Sequence, residues 1–329
     1  MQKDILIRDI MAGANMFVFF KGDIMKLKDY FFDNFMGIDE RTILTAVEEL
    51  SDLAPLHNPA NLVGVRAFKE VIPSAVAVGV FDTAFHQTME EEVYLYPVPY
   101  EWYTKYAVRR YGAHGTSHKY VSMRANEILD NEDARLITCH IGNGASISAV
   151  KAGKCVETSM GLTPNAGLMM GTRCGDIDAT ILPYIMEETG MSAKEMDTAL
   201  NKQSGLLGIS GVSSDSRDIE DGINNGDERC ILAQKMYVKR IVDFIAKYYV
   251  ELGGCDAIIF TAGVGENSIS TRMEVMEKLA CLGVKPDEER NNVRGKEALI
   301  SADNSKIPVY VIPTNEELMI ATDTYNLAK

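Results

Sequence analysis

Residues 256–267 read DAIIFTAGVGEN, an apolar run that ends in glycines, with no charged residue between Asp256 and Glu266. Such a run is buried on both faces, as a strand inside a sheet is. The glycines stop it, and a helical pattern then continues to Leu282. A strand, a glycine turn and a helix in immediate succession restrict the chain to folds in which helices cover a sheet. Residues 136–141 and 145–150 are two more strand-like runs, joined by Gly142, Asn143 and Gly144, a hairpin signal. Residues 76–81 and 308–312 read as further strands. Helical spacing marks 39–53, 178–188, 192–201 and 317–327, with the Pro and Asn residues of 54–61 ending the first of these. The longest predicted helix is 228–252, with Leu232, Met236, Ile241, Ile245, Tyr248 and Leu252 along its buried stripe. A hairpin followed by strand–helix alternation predicts an α/β fold, a mixed sheet with flanking helices.

A chain of 329 residues has room for two lobes. Its formal net charge of -14 leaves no basic surplus to neutralise the phosphates of a polymer or an anionic bilayer. Nucleic acid and membrane are therefore not expected partners. A single nucleotide remains allowed, because it needs only local N–H groups, one or two cations and a metal ion. The six cysteines contain no C-x-x-C pair and read as reduced thiols. Residues 10–20 follow Lys3 and Arg8 as a secretory core would. Asp4 and Asp9 interrupt the basic region, however, and no small-residue cleavage site follows Phe20. The segment is also too short to span a bilayer, so a cytoplasmic location is expected.

Three glycine-rich turns could bring backbone N–H groups close to a phosphate: 142–144, 205–211 with Ser213 and Ser214 behind it, and 263–267. The last follows a strand and precedes a helix, but it has no Gly-Lys-Ser/Thr of a Walker loop. Arg173 stands between Gly171 and Gly175 with Asp176 and Asp178 close behind. It reads either as a fork for phosphoryl oxygens or as a surface cation paired with one of those aspartates. All five histidines, His57, His86, His114, His118 and His140, fall in turn-rich segments, where structural and ligand-binding roles are both open. Only His114 and His118 have metal-ligand spacing, and no carboxylate accompanies them.

Eight phrases together resemble the acetate kinase family, within the acetate and sugar kinase/Hsp70/actin superfamily. They are residues 54–62 (APLHNPANL), 81–88 (FDTAFHQT), 110–118 (RYGAHGTSH), 140–146 (HIGNGAS), 167–178 (GLMMGTRCGDID), 211–218 (GVSSDSRD), 262–267 (AGVGEN) and 313–318 (PTNEEL). They occur in family order from about residue 37 onward. The resemblance implies two actin-like (ribonuclease H-like) lobes with the active site in the cleft between them. Residues 1–82 with 318–329 would form an N-terminal lobe, and 83–317 the nucleotide-binding lobe. It implies ATP and acetate as substrates, ADP and acetyl phosphate as products, Mg²⁺ (or Mn²⁺) as cofactor, and a homodimer. Carried over by position, Asp82 is the carboxylate beside the reacting centre, and His114 and Arg173 stabilise the transition state. His140, Ile141, Gly142, Asn143, Gly144, Asp215, Ser216, Arg217, Gly263, Val264, Gly265, Glu266 and Asn267 bind nucleotide. Leu56 and Pro164 line the pocket for the acetate methyl, and Glu316 attends the metal.

The sequence departs from the family pattern at its start. The family's opening strand, its Asn-Ala-Gly-Ser-Ser-Ser phosphate loop and its Arg-Val-Val-His-Gly-Gly segment have no counterpart in residues 1–36, where the cations nearest the expected arginine are Lys26 and Lys28. A truncated N-terminal lobe with an unrelated leader, strand edges left unpaired and turnover near background are the corresponding expectations. Ala113 stands where the family has phenylalanine, and Asn165 where it has leucine. A propionate or other short-chain acid kinase, and a nucleotide-binding remnant without turnover, are the alternative readings.

Overall fold

The structure, a computed structural model, describes residues 14–21, 44–45, 47–48, 58–73 and 75–328. In chain order the elements used below are β1 Ala14–Lys21, α1 Asn58–Val71, β2 Ala75–Phe81, α2 Gly115–Leu129, β3 Arg135–Ile141, β4 Ala145–Lys151 and β5 Lys154–Thr158. Then come α3 Ile181–Thr189, α4 Ala193–Lys202, α5 Gly205–Ser210, α6 Ser216–Asn224, α7 Glu228–Glu251, β6 Ala257–Thr261, α8 Ala262–Asn267 and α9 Ile269–Lys278. The chain closes with β7 Ala298–Leu299, β8 Val309–Val311 and α10 Glu316–Ala328. They divide into two compact units, Met1–Tyr120 with Asn315–Lys329, and Val121–Thr314. Residues 83–120, expected with the second lobe, thus cluster with the first.

In the second unit six strands lie in the order β5-β4-β3-β6-β8-β7. β3 pairs antiparallel with β4 and parallel with β6, while β6 continues parallel to β8. This is the mixed sheet of the expected α/β fold. β6 is buried at all five positions and β3 at all but its first, which is why their sequences are apolar without alternation. Asp227 caps α7 by accepting from the N–H groups of Arg229 and Cys230. The helix turns Cys230, Ala233, Tyr237, Val238, Ile241, Ile245 and Tyr248 into the core and packs on β3 and β4. Each large apolar side chain of this face contributes about 1.5–3 kcal/mol of burial. Leu232, expected on the stripe, is instead 50% exposed. The buried row runs through Ala233 and Tyr237, because Cys230 and Gln234 carry it past the polar-looking positions that the expected stripe avoided.

In the first unit β1 pairs antiparallel with β2 along its whole length, with Phe17 opposite Gly79 and Phe20 opposite Val76. Residues 14–21 of the leader are therefore a strand, and that edge of β2 is not unpaired as expected. α10 packs against both strands. α1 begins at Asn58, inside the segment expected to break a helix. Pro59 is tolerated there because a first-turn residue has no helical N–H to lose. Among the described residues no helix is long and apolar enough to cross a membrane.

Candidate active site

Asp82 directly follows β2 and is buried. Three successive N–H groups converge on it. His114 N–H donates to Oδ2 at 2.5 Å, Gly115 N–H to the Asp82 carbonyl at 2.8 Å, and Thr116 N–H to Oδ1 at 3.3 Å. A Cβ on Gly115 would stand 2.2 Å from that carbonyl oxygen, so glycine is the residue that permits the approach. His114 has φ +59, the left-handed conformation that costs a residue with a Cβ about 1–2 kcal/mol. The adjoining carbonyl, that of Ala113, lies 3.0 Å from His86 Nε2. A carbonyl only accepts, so Nε2 carries the hydrogen. Burial lowers the His86 pKa to about 4, which keeps the ring neutral at physiological pH.

Glu316 begins α10. Burial, then the nearby charges of Asp82 and Glu317, raise its carboxyl to about 7. Asp82 and Glu316 thus form a carboxyl pair within electrostatic reach. Among the described residues no group of three or more His, Cys, Asp or Glu could hold a metal alone. Mg²⁺ usually takes one or two carboxylates and completes its shell with water and substrate phosphate, so two carboxyl groups match that ion in number and donor type.

The second unit brings the three expected nucleotide segments together. β3 and β6 are parallel with His140 opposite Thr261, so the 142–144 turn and the start of α8 emerge at one end of the sheet. A Cβ on Gly142 would lie 3.8 Å from that of Ala262. Gly171 N–H donates to the Asn143 carbonyl at 3.0 Å, and a Cβ there would meet Asn143 Oδ1 at 1.8 Å and the Ser214 carbonyl at 2.9 Å. The hairpin turn, the arginine loop and the segment leading to Asp215, Ser216 and Arg217 are therefore in contact. Asp215 caps α6 and is paired with Arg217 at 2.5 Å, which draws its carboxyl down to about 2.

Residues 263–267, expected as a turn, are helical in α8. Glu266 folds back so that Oε1 accepts from Ala262 N–H at 2.8 Å and Thr314 N–H at 3.1 Å, closing the strand–helix junction. Gly263 is exposed and would meet nothing within 4 Å if it carried a Cβ. Val264 is half-buried, Gly265 is buried and Asn267 is exposed. Residues 205–210, likewise expected as a phosphate turn, form α5. The N–H groups of Ser204, Leu206 and Leu207 already donate to the carbonyls of Thr172, Met170 and Gly171. That segment clamps the arginine loop and has little backbone left for a ligand.

Arg173 is not paired with either neighbouring aspartate. Its Nη1 meets the Pro164 carbonyl at 3.2 Å and Met170 Sδ at 3.7 Å. Asp176 accepts from Gly167 N–H, and Asp178 from Thr180. Among the described residues no carboxylate lies within ion-pair distance of Arg173, and desolvation lowers its pKa. It is a half-buried guanidinium that donates to neutral acceptors among the described residues. Arg272, not singled out from the sequence, is fully buried behind α8 and donates to the carbonyls of Gly265, Asn291 and Val293. Its place in a helical pattern gave no signal beyond a charge expected at the surface. Leu56, like Lys26 and Lys28, lies outside the described residues.

The sequence matches the acetokinase family over residues 29–322. It is 52% identical over 327 residues to the acetate kinase of Shouchella clausii, covering 99% of this chain and 82% of that protein. The crystal structure of Porphyromonas gingivalis acetate kinase superposes with a TM-score of 0.85 at 47% identity, covering 97% of this chain and 76% of that one. A propionate kinase from Francisella tularensis superposes with a TM-score of 0.82 at 45% identity, covering 88% and 74%. With the mixed sheet, the buried Asp82 and the half-buried arginine of the GLMMGTRCGDID loop, these likenesses agree: the chain belongs to the acetokinase family.

Proposed function

We propose that this protein transfers the terminal phosphoryl group of ATP to acetate, reversibly, giving acetyl phosphate and ADP. The observation that carries the proposal is the half-buried Arg173, which lacks a carboxylate partner among the described residues. An unbalanced guanidinium on a glycine-flanked loop is prepared for an anion whose charge spreads over three oxygens during transfer. Acetate is ionised at neutral pH, so its oxygen attacks the γ-phosphorus without losing a proton, and the bond to the β-phosphate oxygen breaks. The protein's work is then to align and to stabilise charge.

His114 and Arg173 supply positive or hydrogen-bonding character to the transferring group. Asp82 is held by backbone N–H groups, which suits it to orienting a metal or water better than to removing a proton. Asp82 and Glu316 would hold Mg²⁺, which when bound offsets phosphate charge. The 140–144, 215–217 and 263–267 segments bind the nucleotide, with Gly263 giving close access. Pro164 borders the acyl group, with Leu56 assigned beside it, and the active protein is a homodimer.

A hydroxylamine-trapping assay for acyl phosphate tests the proposal; no product in the presence of Mg·ATP and acetate, with nucleotide bound, would identify a non-catalytic binder. Ala113 is small and begins the loop that carries His114, which favours weighing propionate as the second substrate. Relative kcat/KM for acetate, propionate and butyrate decides between them.

A further inference from the structure

We infer that His86 is a positioning residue that acts through the peptide bond joining Ala113 to His114. The two sides of that peptide are held from opposite directions. Its carbonyl accepts from His86 Nε2 at 3.0 Å, and its N–H donates to the Asp82 carboxylate. The plane of a peptide is fixed by the two groups that bind its C=O and its N–H, because the unit does not twist. With the plane fixed and φ of His114 at +59, the direction in which the His114 side chain leaves the backbone is fixed too.

The clamp works against an intrinsic preference. Only Gly routinely enters the left-handed region, and a His does so where its surroundings over-determine it. His86 meets that need from a buried position, 1% exposed, with its ring edge-on to the rings of Phe85 and His118 at 5.7 and 5.8 Å. Its rotamer is thereby restricted by packing, and its ring nitrogen stays aimed at the Ala113 carbonyl. Nothing in this arrangement brings His86 to a substrate. Its effect reaches the reaction only through the orientation of His114, so the inference rests on the proposed role of His114.

The test is a double-mutant cycle between His86 and His114 in the full-length protein, read by kcat, KM and folding. His86→Met keeps the volume without the donor; His86→Gln keeps a donor at a similar reach. His86→Met should lower kcat about 10–100-fold with KM for ATP changed less than threefold, and His86→Gln should restore most of that loss. In a His114→Ala background the same His86→Met change should cost less than threefold. Equal losses in both backgrounds would overturn the inference. If His86→Met does not fold, His86→Gln decides alone, since a loss above tenfold despite the retained donor also overturns it. A parent protein that makes no acyl phosphate would count against the functional proposal instead. In that case the His114 amide proton is the readout: it should lie downfield in the parent and in His86→Gln and move upfield in His86→Met, and a resonance unmoved in His86→Met would overturn the clamp.

Discussion

The proposed chemistry rests on two residues, a half-buried arginine with no carboxylate at ion-pair distance among the described residues and a buried imidazole that stays neutral. Arg173→Ala is expected to lower kcat by roughly 10²–10⁴-fold while the nucleotide Kd changes little, as for a contact made mainly in the transition state. Steady-state kinetics beside a nucleotide titration check this, and an unchanged kcat would remove Arg173 from the mechanism. His86 gives a stability prediction with a definite sign. Its folded pKa of about 4 lies below the unfolded value of 6.5, so above pH 6.5 it costs nothing. As pH falls from about 6.5 to about 4 the unfolded chain binds a proton that the native state refuses, and stability is lost, on the order of 3 kcal/mol in total. Urea midpoints at pH 7 and pH 4.5 should therefore fall further for the parent than for His86→Gln. The arginine was visible in the sequence as a candidate because glycines flank it. The absence of a carboxylate partner among the described residues was not, since Asp176 and Asp178 are near in sequence but bond to Gly167 and Thr180. The role of His86 depends on a contact 27 residues away, which no local pattern encodes.

At the scale of elements, what the sequence revealed and what it concealed follow from how local each signal is. The strands β3, β4 and β6 and the helix α7 were legible, because apolar runs and period alone specify them. The glycine segments were misread in form: α5 and α8 are short helices, and glycine marks there the close approach of another backbone. Gly205 has φ +63 and would place a Cβ 2.1 Å from the Met170 carbonyl. Its glycine is required by packing, which looks the same in sequence as a phosphate turn. Gly171 has the corresponding position between the hairpin turn and Ser214. Gly171→Ala should destabilise the protein by about 1–3 kcal/mol and weaken ADP binding, because Asn143 or the Ser214 backbone must move. Denaturant unfolding and an ADP titration measure the two effects; wild-type values for both would mean that the three segments do not depend on this contact.

For the whole molecule, the six-stranded sheet and its helices lie in one continuous stretch of chain, whereas the first unit is assembled from both chain ends. A fragment of residues 115–314, begun early enough to keep α2 whole, should unfold cooperatively and gain thermal stability on adding ADP. Failure to show an ADP-dependent rise in Tm would mean that nucleotide binding needs the first unit. The pairing of β1 with β2 was hidden from the sequence because the two strands lie far apart and residues 11–20 carry no alternation. That pairing has a consequence for biosynthesis. β1 (Ala14–Lys21) is synthesised well ahead of α10 (Glu316–Ala328), which packs on both β1 and β2. At about 5–20 residues per second the interval between them is roughly 15–60 s, during which the second unit can finish folding. Through that interval the nascent β1–β2 pair, with α1 on β1, waits without α10, its apolar surface there open to chaperones and to other nascent chains on the same messenger.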